Sequence, residues 1–278
     1  MAITLGYLGP RGTFSEEAAL LYNRSGERRL QEYGTISEVI EGVGSGAIAE
    51  GIVPLENSLE GSVAVTLDLL SQLEGVLIRR ELVYPIHHCL LAPPGVNLSG
   101  IRRVYSHPQA LGQCRRFLQE KLPEAACCPV ESTALAAGLA QRHKGSAAIA
   151  PRRAAELFNL RLLAEGVQDH NDNATRFVVV ARRDHPPTGR DKTSLVLAIP
   201  DGPGSLYRIL GYFARRQINL TRIESRPARR NLGEYLFFID CEGHRLNPPL
   251  KELWPQLERE VVFLKLLGSY PRHGRPEA

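Results

Sequence analysis

Short apolar runs recur through the first two thirds of the chain, and most are followed by a longer stretch with helical spacing. Residues 3–8, 47–53, 86–91, 104–105, 147–150 and 177–181 read as buried strands. Alternation of such runs with helices predicts an α/β fold, with a mainly parallel sheet and helices on both faces. The helix starts are marked. Thr13 with Glu16 and Thr35 with Glu38 fit the capping box, and Pro108 stands where the first residue of a helix over 109–121 belongs. Each start follows a strand, the junction at which open α/β sheets bind ligands.

Beyond a polar, Pro- and Gly-broken linker at 184–191 the pattern changes. Strand 194–199, helix 205–216, strands 218–223 and 234–240, helix 249–259 and strand 261–267 give the order β-α-β-β-α-β, the ferredoxin-like split unit.

Composition narrows the function classes. The 278 residues are 43% hydrophobic and 23% charged, which excludes a disordered, collagen-like or coiled-coil chain. No apolar run is long enough to cross a bilayer, and residues 1–5 lack a signal-peptide pattern, so a cytoplasmic protein without a membrane partner is expected. Cys89, Cys114, Cys127, Cys128 and Cys241 show no metal-ligand spacing, and reduced, mostly buried thiols are expected, with no metal. Residues 1–189 hold 19 basic and 20 acidic residues, and 190–270 hold 13 and 9, the excess lying around Arg222, Arg226, Arg229 and Arg230. A nucleic-acid binder would concentrate far more positive charge on one element, so small anions fit better than polyanions.

Five segments put polar residues at strand ends. Gly9–Ser15 is a Gly-rich turn entering a helix, with Thr13; as a phosphate loop it lacks the lysine and spacing. Val53–Val63 offers Glu56, Asn57 and Ser58, while Ser58 or Ser62 serves equally well as a helix cap. Ser106-His107-Pro108-Gln109, with Gln113 and Cys114 further on, holds a general-base and a nucleophile candidate, the thiol reading better as core. Ser132 and Thr133 open another helix. In Asn173-Ala174-Thr175-Arg176-Phe177 a guanidinium beside a hydroxyl suits a carboxylate, against the plainer reading of a surface salt bridge. A Rossmann fingerprint, a Walker loop, His-Glu-x-x-His and a nucleophile elbow are all missing from the sequence.

Taken together and in this order, the five segments resemble prephenate dehydratase, and the region after the linker resembles an ACT regulatory domain through Gly202–Leu206 and Glu224–Pro227. The resemblance implies that prephenate loses CO2 and its ring hydroxyl to give phenylpyruvate, without cofactor or metal, in phenylalanine biosynthesis. It implies a bilobed, type II periplasmic-binding-protein-like catalytic region over 1–183, with lobes 1–78 plus 174–183 and 79–173, hinged near Arg79 and His170, and an ACT domain over 192–270. Thr175, Asn57, Ser106 and Gln113 are the implied catalytic residues, with Thr175 the essential hydroxyl. Arg176, Phe177, Glu56, Ser58, Thr13, Ser132 and Thr133 would bind substrate, and Arg176 would hold a carboxylate. Gly204, Ser205, Leu206, Glu224, Ser225, Arg226 and Pro227 would bind phenylalanine, an inhibitor, in a homodimer or homotetramer. Arogenate dehydratase, or a non-catalytic amino-acid sensor, are the alternatives.

Overall fold

The structure, a computed structural model, describes residues 3–228 and 235–274. Arg229 and Arg230, and the first residue of the strand predicted at 234–240, lie outside the described residues.

The chain runs β1 (Ile3–Leu8), α1 (Phe14–Tyr22), β2 (Arg28–Tyr33), α2 (Ile36–Ser45), β3 (Glu50–Asn57), β4 (Gly61–Ser62), α3 (Ala64–Gln72) and β5 (Leu77–Pro85). It continues through β6 (Cys89–Ala92), β7 (Arg103–Ser106), α4 (Pro108–Gln113), α5 (Arg115–Lys121), β8 (Ala126–Pro129), α6 (Thr133–Arg142), β9 (Ser146–Ala150), α7 (Arg152–Leu157), β10 (Arg161–Glu165) and β11 (Ala174–Ala181). The last part is β12 (Asp191–Ala198), α8 (Ser205–Arg215), β13 (Leu220–Pro227), β14 (Tyr235–Glu242), α9 (Leu250–Glu260) and β15 (Phe263–Pro271).

Three sheets result, in the orders β2-β1-β3-β11-β5 with β4 on β3, β10-β6-β9-β7-β8, and β13-β14-β12-β15. The second is mixed rather than mainly parallel. β7 pairs in parallel with β8 and β9, whereas β6 runs against both β9 and β10. Its central strands are covered on both faces. Leu90, Ala147 and Ile149 pack with Ala110 and Leu118, while Cys89, Leu91, Ala148 and Ala150 pack with the small residues Ala136, Ala137 and Ala140 of α6.

The single helix expected over 109–121 is two. Cys114 breaks it at φ −115°, ψ 21°, and Asp169 occupies the break: its N–H donates to the Gln113 carbonyl at 2.7 Å and its carboxylate accepts from Arg116 N–H at 3.1 Å. This ends α4 at Gln113 and caps α5.

The chain divides into two compact units, one of Met1–Val39, Ile52–Val63 and Val83–Phe177, the other of Ile40–Gly51, Ala64–Leu82 and Val178–Ala278. In the second, the all-antiparallel β12–β15 sheet carries α8 and α9 on one face, with Phe213 of α8 and Leu257 of α9 in one core with Leu195, Leu197 and Ile239 of the strands. From its strands Lys192 pairs with Glu81 at 2.9 Å, Arg226 with Asp68 at 3.4 Å, and Lys265 donates to the Leu73 carbonyl at 2.7 Å just past the end of α3. The buried ammonium so replaces water by helix-end carbonyls, the favourable pole of the dipole for a cation. The 184–191 segment is pinned as well, Asp184 accepting from Arg245 and from Ser269 N–H. Among the described residues no helix is long and apolar enough to cross a membrane.

Candidate active site

A cavity of about 630 Å3 in the first unit is bounded by the ends of β3, β7 and β11 and the starts of α1, α4 and α6. Each helix start is capped at its wall. Thr13 Oγ1 accepts from Glu16 N–H, His107 Nδ1 from Gln109 N–H and Ser132 Oγ from Leu135 N–H. His107 is thus committed to capping, and Cys114 lies in the core, its thiol pushed up by burial.

The turn before α1 departs from a simple capping box. Glu16 reaches past Thr13 to the Gly12 N–H at 2.7 Å and pairs with Arg153 at 3.0 Å. Burial alone would raise this carboxyl, but those hydrogen bonds and the Arg153 charge outweigh it and hold it below the usual range. Its neighbour Glu17 goes the other way: burial raises it, against weaker help from the Tyr84 hydroxyl at 3.1 Å and Arg153 N–H. Between the ordinary and the raised value the folded chain holds more protons than the unfolded one, so this carboxyl costs stability as pH rises through that window. Glu17→Gln, whose oxygen still accepts from Arg153 N–H while its nitrogen donates to the Tyr84 hydroxyl oxygen, is therefore expected to raise Tm at pH 7 and to gain much less at pH 4, as thermal melts at the two pH values will show.

At the cavity wall four amide and hydroxyl side chains form a chain with a fixed direction. Asn57 Oδ1 accepts from Leu59 and Glu60 N–H at 3.0 and 3.1 Å, which turns its Nδ2 toward Asn173 Oδ1 at 2.8 Å and Thr175 Oγ1 at 3.0 Å. Asn173 Nδ2 donates in turn to Gln113 Oε1 at 2.9 Å, and Gln113 Nε2 to the Glu60 carboxylate at 3.3 Å. A carboxylate only accepts and a backbone N–H only donates, so both ends of the chain agree on the amide orientations. The Thr175 oxygen therefore accepts from Asn57, and its own proton is left to point elsewhere.

The structure brings Thr175, Phe177, Asn57, Gln113, Thr13, Ser132 and Thr133 to this cavity. It places four other expected residues away from it. Ser106 is fully buried and donates to the Ile149 carbonyl at 2.6 Å. Arg176 alternates on β11 to the face opposite Thr175 and Phe177, and pairs with Glu56 at 3.8 Å. Ser58 accepts from Ala174 N–H and donates to the Asp172 carbonyl, stitching the Asn57 turn to the strand that carries Thr175. The sequence did not single out Asn173 and Glu60, which hold the Gln113 amide without lining the cavity, or His88, which lines it and sits in an apolar run that reads as core. Among the described residues no group of three or more His, Cys, Asp or Glu side chains is placed to hold a metal ion.

In the second unit a cavity of about 1110 Å3 lies between the end of α3 and the β12–α8 turn, lined among others by Gly204, Ser205, Leu206, Tyr235 and Phe263. Glu224 and Arg226 do not line it; they pair with each other, with Arg222 and with Asp68. Ser225 and Pro227 lie on the exposed alternate positions of β13.

The family model "Prephenate dehydratase" matches residues 5–185 and the model "ACT domain" residues 193–256. A prephenate dehydratase of Methanocaldococcus jannaschii is 40% identical over 95% of this chain and 97% of its own. A crystal structure of prephenate dehydratase from Arthrobacter aurescens in complex with L-Phe superposes with a TM-score of 0.88 at 39% identity, covering 97% of this chain and 90% of that one. A structure described as GqqA, "a novel type of quorum quenching acylases", superposes at 0.86 with 31% identity, over 98% of each chain. The chain is an α/β hydro-lyase with an ACT domain. It belongs to the prephenate dehydratase family.

Proposed function

We propose that the cavity in the first unit converts prephenate to phenylpyruvate with Thr175 as the donor to the departing hydroxyl, and that phenylalanine acts through the second cavity as a feedback inhibitor. The observation that carries the reading is the Asn57–Thr175 hydrogen bond. With its oxygen accepting from Asn57, Thr175 is polarised as a donor and has no base set against it to make it a nucleophile. In the reaction the electron pair of the breaking C–CO2 bond enters the ring, the ring C–OH bond breaks, and the leaving oxygen needs a proton. Aromatisation drives the chemistry, so the protein has chiefly to orient a dianion and hydrogen-bond the leaving group. The starts of α1 and α6, with Ser132 and Thr133, supply donors for the carboxylates, while the Thr13 hydroxyl donates to the Pro10 carbonyl at 3.0 Å and shapes the wall. Arg176 supports the site from behind, through Glu56, instead of holding substrate.

Purified protein incubated with prephenate should yield phenylpyruvate, read by its absorbance in alkali; no product above the uncatalysed background overturns the reading and leaves the amino-acid sensor. Arogenate in parallel gives the substrate preference as a ratio of kcat/KM. Acylase chemistry, raised by the GqqA neighbour, requires an activated nucleophile or water; His107 serves as a cap and Thr175 faces an amide, so the wall favours donation over attack. Regulation has its own test. Leu206→Asp is expected to raise the phenylalanine concentration for half-inhibition at least tenfold while turnover without phenylalanine stays within about threefold of the parent. Equal loss of both would make the β12–α8 turn structural. Pairing of ACT domains across a homodimer or homotetramer, and a cytoplasmic location, complete the reading; sedimentation with and without phenylalanine measures the first.

A further inference from the structure

His88, in the three residues between β5 and β6, is 3% exposed, lines the cavity in the first unit and packs edge-on against Phe14. Its backbone N–H is held by Gln168 Oε1 at 2.9 Å, and its ring Nε2 lies 3.0 Å from Gln113 Oε1. The direction of the amide chain settles the tautomer. Gln113 Nε2 faces the Glu60 carboxylate, so Oε1 is an acceptor and His88 Nε2 must carry the proton. His88 Nδ1 is then a bare acceptor, and among the described residues it has no hydrogen-bond partner although it is buried. Such an orphan costs stability, and Leu or Phe in its place would avoid that cost. A histidine at this position is therefore explained by what its other nitrogen does.

We propose that His88 is a positioning residue for the dehydration: its Nε2–H, together with Asn173 Nδ2, holds the Gln113 carboxamide in the one orientation that aims Nε2 at the Glu60 turn and keeps the Asn57–Thr175 donor pair in register. Gln113 Oε1 takes both donors, one from each side, and without His88 only Asn173 restrains it. Burial favours the uncharged ring, the form that has one donor and matches this arrangement. The inference rests on the reading that places Gln113 in the reacting site.

Three variants and a cycle test it. His88→Phe keeps the ring and the contact with Phe14 but has no donor; it is expected to lower kcat between about ten- and a hundredfold, the scale for a slightly misplaced site group, with KM moving less than threefold. His88→Gln places an amide nitrogen where Nε2 stood and should keep kcat within about threefold of the parent. His88→Asn, whose nitrogen reaches only the Nδ1 position, should resemble His88→Phe. Gln113→Leu combined with His88→Phe should be no slower than Gln113→Leu alone, because the histidine acts through the glutamine. Parent-like kcat in His88→Phe, equal activity in the Gln and Asn variants, or multiplied losses in the double variant would each overturn the proposal. Where His88→Phe does not fold, the Gln and Asn comparison decides it alone. Parent-like turnover in Gln113→Leu would instead overturn the assignment of Gln113, a result distinguishable from failure of the histidine.

Discussion

Thr175→Ala is expected to lower kcat by at least about a hundredfold, some 2.7 kcal/mol of transition-state stabilisation, the range for removing one preorganised donor from a buried site. The loss should fall on kcat more than on KM, because the hydroxyl strengthens its bond as charge develops on the leaving oxygen and adds little to ground-state binding. Thr175→Ser, which retains the oxygen accepting from Asn57, should recover most of the rate. Among the described residues the Thr175 hydroxyl takes part in no hydrogen bond other than the one from Asn57, so neither change should lower Tm by more than a few degrees. Near-normal turnover in the Ala variant, measured by phenylpyruvate release, would remove Thr175 from the chemistry.

Asn57→Asp is expected to be as damaging, although it changes one atom. The side-chain nitrogen that donates to Asn173 and Thr175 becomes an oxygen that only accepts. Thr175 would then turn its proton toward the new carboxylate and away from the leaving group, and a negative charge would face an incoming dianion. The first effect lowers kcat and the second raises KM, so kcat/KM should fall by more than the hundredfold expected for Thr175→Ala. Asn57→Ala separates the two: it leaves the Thr175 proton unclaimed and adds no charge, and it should lose less in KM. If the Asp and Ala variants match in both constants, the direction of the Asn57–Thr175 bond is irrelevant to the reaction.

These expectations were partly legible in the residue order. The interior strands β1, β3 and β11, and β6, β7 and β9, all declared themselves as apolar runs, because a strand covered on both faces is apolar at nearly every position. The edge strands β2, β5, β8 and β10 did not. Arg28–Tyr33 and Ala126–Pro129 have mostly exposed or half-buried side chains, so no hydrophobic run marks them. In the ACT domain the edge strand β13 was legible only in its first half: expected over 218–223, it runs to Pro227, because its half-buried positions after Leu220 are the charged Arg222, Glu224 and Arg226. β3 was displaced toward its N-terminus because Pro54, which suggests a break, lies inside the strand.

At the site, cap positions such as Thr13 and Ser132 follow from local sequence, because their hydrogen bonds close within three residues. The same locality makes the Asn57 turn readable but hides what it serves. Asn57 meets Thr175 across 118 positions and Gln113 meets Asn173 across 60, and no local rule reports either distance. Arg176 and Thr175 show the difference most directly. Adjacent in the chain, they look like one binding unit, and the two-residue period of β11 sends them to opposite faces. His88 looked like core and is core, yet among the described residues the one hydrogen bond of its ring ends on a site residue. The sequence by itself determined the α/β class, the order of the regulatory module and the residue types available for donation. Tertiary structure alone decided which donors share a cavity and which way each points, because those are set by sheet pairing and by hydrogen-bond direction between segments far apart in the chain.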